Sequence, residues 1–409
     1  MLTPNKVPNT TIMKIPNVIL NEPYRLFFPL GWLMGIVGSS YWVLVSTGLI
    51  VSYAPFYHGV IQIELFCSAF AVGFLLTALP KFLRTKSATN GELLCLLVAY
   101  LWLAAATLSN ALLVAQWSFI FFISLLIRFA IIRVKERKSM PPFSFFLVAF
   151  GLFEGMLGAL LVIYPSSTFP LLGQKLLAQG MFLSLSLGIG SFLGPRLMGV
   201  VDTENAMISL PGRGSNNLRW YRSPGNVVCA IGAIIFASFF IETGWHREVG
   251  LYLRAGAAFF CLARFNLLKI PRSQSVTGIF VAIALWSTAL GILMAALLPR
   301  HEVGALHLTY IGGFGLLILT IGAQVVSSHG GIHRFWQIHK LGAIFIVSLM
   351  SVSALVRMSA TFYPSHYFLL IGTAALAFDL AMIGWGIGVL KHVASTAEIR
   401  GTALAKPNL

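Results

Sequence analysis

The run ALHLTYIGGFGLLILTIGAQVVSSHGG, residues 305–331, carries no charged side chain and holds a histidine near each end, His307 and His329. At a rise of about 1.5 Å per residue it is long enough to cross the ~30 Å hydrocarbon core of a bilayer as a helix. The two imidazoles are then expected near opposite faces. Polar groups inside a membrane are costly and are usually kept for a task, which points to cofactor or metal ligation. The plainer reading is a pair of interfacial, hydrated histidines.

The rest of the chain has the same character. Of its 409 residues 57% are hydrophobic and 10% charged, with a mean hydropathy of +0.85, far from the make-up of a soluble domain. The net charge of +16 comes from basic residues clustered in connecting segments. That pattern excludes a nucleic-acid surface and fits the excess of Lys and Arg in cytoplasmic loops. Cys67, Cys95, Cys229 and Cys261 all lie in apolar runs without paired spacing, so no disulfide framework or Cys-based metal site is expected. Residues 1–22 are rich in Asn, Pro and Thr and lack a compact apolar core behind a basic patch, so no cleavable signal is expected.

Counting about 20 apolar residues per crossing predicts an all-α, polytopic membrane helix bundle of about twelve transmembrane helices. The spans fall at 27–51, 57–80, 92–112, 116–134, 144–164, 174–195, 226–242, 249–268, 276–298, 304–327, 338–359 and 366–391. The eighth is the least apolar, with Arg254 and Arg264. Basic residues such as Lys81, Arg84, Arg133, Lys135, Arg213, Lys269 and Lys340 follow the even-numbered spans, whereas little beyond Arg247 and Arg300 follows the odd ones. This predicts cytoplasmic segments at 1–26 and 393–409 around a membrane domain at 27–392. An echo links QIELFCSAFAVGFLLTALP (62–80) with QGMFLSLSLGIGSFLGP (179–195), and the glycine-rich tenth span shares the spacing, pointing to three four-helix units.

Topology puts His58, at the start of the second span, and His307, at the start of the tenth, at one depth near the outer boundary. An imidazole from each of two helices at one level is what a bracketed haem needs. Gln62 follows His58 by one turn, Gly312, Gly313 and Gly315 lie below His307, and Arg357 stands at a matching level where a guanidinium can pair with a propionate. Taken alone, Arg357 reads as a snorkelling cation, and the glycines, with Gly31, Gly35 and Ser39, as helix-packing positions. At the inner end, HGGIHRFWQIH (329–339) offers His329, His333 and His339, a set suited to copper or zinc, or else a wet basic loop. Glu64 and Glu154 read as proton-relay candidates, and Asp379 as an ion-pair partner for an intramembrane arginine.

Four stretches carry a resemblance: EPYRLFFPLG (22–31), FYHGVIQIELFCSAFAVGFLLTALPKF (56–82), GIGSFLGPRLMG (188–199) and LHLTYIGGFGLLILTIGAQVVSSHGG (306–331). Together and in this order they resemble the NnrS family of bacterial membrane proteins. The resemblance implies about twelve helices, haem b and copper, and a part in nitric oxide metabolism and stress, with His58, His307 and His329 on family-like motifs. Better-known members carry a His-x-His-Glu cluster at the start of the second span, where this chain has His58 followed by Gly59 and Val60. A looser, fold-level analogy runs to the catalytic subunit of haem-copper oxidases, with haem histidines on the second and tenth spans and arginines after the eleventh. It breaks at the sixth and seventh spans, where that family's copper histidines have no counterpart.

The expected function is therefore a haem-binding membrane protein that senses, protects against or turns over nitric oxide or another small gas, served by a membrane electron donor. As an enzyme it would be a haem oxidoreductase. A cofactor-free transporter, motivated by Arg128, Arg264, Glu154 and Asp379, and an accessory that delivers haem or copper are the alternatives. The first is told apart by uptake that ignores His307, the second by loss of metal from a partner enzyme.

Overall fold

The computed structural model describes residues 16–52, 54–164, 169–200, 223–271, 276–332 and 335–393. Eleven helices are long and apolar enough to cross a membrane: α1 Tyr24–Ser46, α2 Pro55–Leu83, α3 Asn90–Leu108, α4 Leu112–Lys135, α5 Phe145–Ile163, α6 Phe169–Met198, α7 Pro224–Gly244, α9 Val276–Leu297, α10 Pro299–His329, α11 Lys340–Phe362 and α12 Pro364–His392. A further helix, α8 Arg247–Arg264, sits between α7 and α9 and matches the eighth expected span. Its four charged residues, Arg247, Glu248, Arg254 and Arg264, hold it below the apolarity of the others, yet it is packed into the same bundle. No strand occurs among the described residues. The protein is a polytopic membrane helix bundle.

Successive helices pack side by side, and α12 returns to pack on α1, which closes the bundle into a ring. Within it α2, α6 and α10 are the innermost: 89%, 89% and 72% of their apolar windows are buried, against 56% or less for the others scored. These are the helices spaced four apart in the chain. Each contains a π-helical segment in the half nearer its N-terminus: Ile61–Cys67, Leu176–Gly180 and Leu308–Gly315. Each also ends against a left-handed residue: Arg84 at φ 53°, Gly199 at φ 66° and Gly331 at φ 67°. A π turn closes i→i+5 bonds, so it fits one more residue than an α turn and moves the face that follows; such turns gather at functional sites.

The connections carry the charge expected of a membrane protein. The end of the bundle where the even-numbered helices finish holds Lys81, Arg84, Lys86, Arg133, Lys135, Lys269 and Lys391. There Thr89 and Glu92 form a capping box at the start of α3, and Arg133 of α4 grips both Glu92 oxygens at 2.8 and 2.7 Å and the carbonyls of Lys86 and Ser87. Glycines on α1 let α2 pack close: a Cβ at Gly31 would lie 2.8 Å from Phe70, and one at Gly38 would lie 2.8 Å from Gln62.

Of the two readings of the glycines that follow His307, packing holds: Gly312 and Gly313 abut Ser287 and Thr288 of α9, and Gly315 abuts Met350 of α11. Two expectations are corrected. Asp379 pairs with no arginine among the described residues; it receives hydroxyls from Ser39 and Ser40 of α1. Arg128 is exposed on the outer face of α4.

Candidate functional site

At the end of the bundle away from its basic connections, α1, α2, α10, α11 and α12, with Ala178 of α6, leave a cavity of about 240 Å³. One water needs only about 10–15 Å³ of such space, so the cavity can take a far larger guest. His58, Gln62, His307 and Arg357, drawn from three helices, all line it. The floor is apolar: Phe66 and Cys67 of α2, Phe314 of α10, and Phe378 of α12. His58, His307 and Arg357, expected at one level, and Gln62, expected one turn from His58, are thus brought to one cavity.

The histidines are held in a defined state. His58 Nδ1 lies 2.8 Å from the carbonyl of Gly38, and His307 Nδ1 lies 2.6 Å from that of Val303. A carbonyl only accepts, so in each ring Nδ1 carries the proton and donates, which leaves the Nε2 lone pair exposed. Neither Nε2 meets a hydrogen-bonding partner among the described residues. This is the arrangement that orients a metal-ligating imidazole: one nitrogen anchored to the protein, the other aimed at a guest. The ring of Trp42 packs edge-on to His58 at 5.5 Å, and Tyr310 edge-on to His307 at 5.5 Å, fixing both planes.

Gln62 has a supporting role, because its Nε2 donates to Gly35 O at 2.9 Å. The absence of a side chain at Gly38 makes room for it. Arg357 is buried on the cavity wall, with its guanidinium 5.8 Å from the Tyr367 ring centre. A fixed positive charge in an apolar wall favours an anionic group on the guest.

The inner histidines are arranged differently. His329 Nδ1 donates to Val325 O at 2.9 Å, and its Nε2 meets the Lys81 ammonium, which can only donate. The lone pair a metal would need is therefore used, and Tyr24 packs on the ring at 5.3 Å. His339 is exposed and lies 4.8 Å from the Phe335 ring. His333 lies outside the described residues. Among the described residues no group of three or more His, Cys, Asp or Glu could hold a metal ion. His329 as placed offers no free ring nitrogen to a metal.

Sequence reasoning missed a chain of buried charges beside the cavity. Arg254, fully buried on α8, pairs with Glu242, donates to Gln179 Oε1 at 2.8 Å and to Ser238 Oγ at 3.0 Å, and lies 3.4 Å above the Phe239 ring centre. Lys175 joins Glu242 to Glu302 at 2.9 Å, and Glu302 pairs with Arg247. Tyr310, which lines the cavity, lies within electrostatic reach of Glu302, Arg254 and Glu242. The network thus braces α6, α7, α8 and α10 at the outer end. The early Gln of the α2/α6 echo was the signal that could have found it: Gln62 and Gln179 both follow the start of a central helix.

Two more acids are buried without an ion pair among the described residues. Glu64 accepts from Gln116 Nε2 at 2.7 Å, and Glu154 from Ser184 Oγ at 2.8 Å. Both face away from the cavity lining, so they do not join the histidine site.

Compared with curated proteins, the chain has no match. It does match the family described as NnrS protein over residues 18–396, which takes in every helix of the bundle and both cavity histidines. A twelve-helix membrane bundle with an imidazole-lined outer cavity is thus the form taken here by a chain that belongs to the NnrS family.

Proposed function

We propose that this protein holds haem b between His58 and His307 and acts on nitric oxide, in its metabolism or in protection against nitrosative stress. The observation that carries the reading is a pair of imidazoles on one cavity wall, each anchored through Nδ1 to a backbone carbonyl and each with Nε2 open to the cavity. The donor set fits the group: two nitrogen ligands, an apolar floor that shelters a porphyrin, and Arg357 for a propionate. Haem supplies an iron that binds diatomic gases and exchanges single electrons. The chain's own part is to orient the two imidazoles, to keep water from the apolar floor and to set the charge at the rim. Family membership supports nitric oxide as the gas.

Copper finds no support in the described residues. A membrane electron donor is the implied partner, and the lipid bilayer the surrounding medium. The basic end of the bundle is assigned to the cytoplasm of a bacterial inner membrane by its Lys and Arg excess. The test is an absorption spectrum of the purified protein, expressed with ample haem, reduced and then exposed to nitric oxide. A Soret band that shifts on nitric oxide is expected; a protein without any Soret band rules the reading out. A delivery role would show instead as metal missing from a partner enzyme in cells lacking this protein.

A further inference from the structure

Asp379 of α12 is buried beside the cavity wall, next to Phe378, which lines it. Its Oδ1 meets Ser39 Oγ and its Oδ2 accepts from Ser40 Oγ at 2.9 Å. No cation pairs with it among the described residues. Ser39 is the link to the cavity: it lines the wall, and its Oγ is also 2.7 Å from Gly35 O.

A hydroxyl has one proton to give and lone pairs to receive. Two complete hydrogen-bond arrangements follow. With Asp379 ionised, Ser39 and Ser40 both donate to it, and Gly35 O keeps the bond from Gln62 Nε2. With Asp379 neutral, its own O–H donates to Ser39 Oγ, and Ser39 turns its proton to Gly35 O. Neither arrangement strands a buried donor or acceptor. A membrane-buried carboxylate without a cation is costly, and two hydroxyl donors offset part of that cost. A carboxyl satisfied with and without its proton is suited to gaining and losing one. A clamp between α1 and α12 would need only one of the two arrangements.

We propose that Asp379 is a proton-holding site coupled through Ser39 to the charge of the cavity's guest. The coupling rests on the haem reading. When an external one-electron reductant adds one electron to the guest, the Asp379 carboxylate takes up one proton that enters from bulk hydronium and is relayed through the cavity and the Ser39 hydroxyl. One O–H bond breaks in the hydronium, which leaves water, and one forms at Asp379; none is lost overall at Ser39, and the cavity's net charge is unchanged. The other titratable or charged groups on the elements around it are His58 of α2, His307 and Tyr310 of α10, Arg357 of α11 and Tyr41 of α1. None of them bonds to Asp379, and Arg357 keeps its charge at any working pH.

The test is a potentiometric titration of the full-length, haem-loaded protein at a series of pH values. In the wild type the midpoint should fall as pH rises, by up to about 59 mV per tenfold drop in proton activity, the equivalent of one proton per electron. Asp379→Asn should be nearly independent of pH, and Asp379→Glu should restore the slope. Should Asp379→Asn fail to fold, Ser39→Ala should cut the slope at least twofold. An unchanged slope in these variants, or a wild type without one, overturns the proposal. If no haem is bound, infrared spectra of the same protein over the pH series decide separately. A protonated-carboxyl band that titrates in the wild type and is lost in Asp379→Asn upholds the proton site while the haem reading fails. A band that is absent, or that persists in the variant, overturns the site.

Discussion

Gly38 acts through what it lacks. Its carbonyl accepts from His58 Nδ1, and its missing Cβ leaves the space that Gln62 and Ile61 fill, each 2.8 Å from where that atom would sit. Gly38→Ala should therefore force α1 from α2, cost about 1–3 kcal/mol through overpacking and turn the His58 ring off its carbonyl. Thermal denaturation and the Soret position read the two effects. In the same measurement His307→Ala and His58→Ala should each alter the Soret band, and the double variant should abolish it. His329→Ala should leave it unchanged, since its Nε2 is taken by Lys81. A full spectrum in the double variant would move the ligands elsewhere. The cavity residues were legible because depth in a membrane is nearly linear in residue number: His58, His307 and Arg357 could be levelled from their distance to a span's end. The fate of Asp379 was not, because its partners are serines on a helix 340 positions away in the chain, and serines in apolar spans give no charge signal.

At the scale of the element, the apolar runs gave helix number and direction, but π turns leave no mark in hydrophobic periodicity. Gly312 and Gly313, five and six residues after His307, meet α9 and do not line the cavity. Deleting Ile311, inside the π segment Leu308–Gly315, removes the one residue by which a π turn exceeds an α turn, so it should restore α geometry and leave His307 in register with the inner half of α10. Such a variant should still insert and keep the spectrum that His307 supports; a lost spectrum would show that the π turn itself aims the ring. The charge network behaves as a unit. Arg254 is fully buried, so Arg254→Gln leaves Glu242 short of its arginine and should cost about 3–5 kcal/mol, read as a lower unfolding temperature in detergent. An unshifted transition would show that the network is not holding α8 in place. Its members, Lys175, Glu242, Arg254 and Glu302, sit on four helices, so no local pattern could have joined them.

For the whole molecule, the central placement of α2, α6 and α10 among the described helices accounts for the four-span echo: the repeated positions are those that face inward. The alternation of basic connections was plain in the sequence and sets orientation. A cysteine placed at Lys391, at the basic end, should react with an impermeant thiol reagent only in inverted vesicles, and one placed at Arg300 only in right-side-out vesicles; the opposite pattern would turn the molecule over. The cavity draws its wall from α1 and α2 and from α10, α11 and α12. During synthesis these arrive first and last. A nascent chain with nine helices in the bilayer has His58 facing lipid or a temporary neighbour, and no pocket exists until α12 docks on α1. Loading of any guest must then follow translation, and an arrest before α12 should yield an inserted but colourless protein.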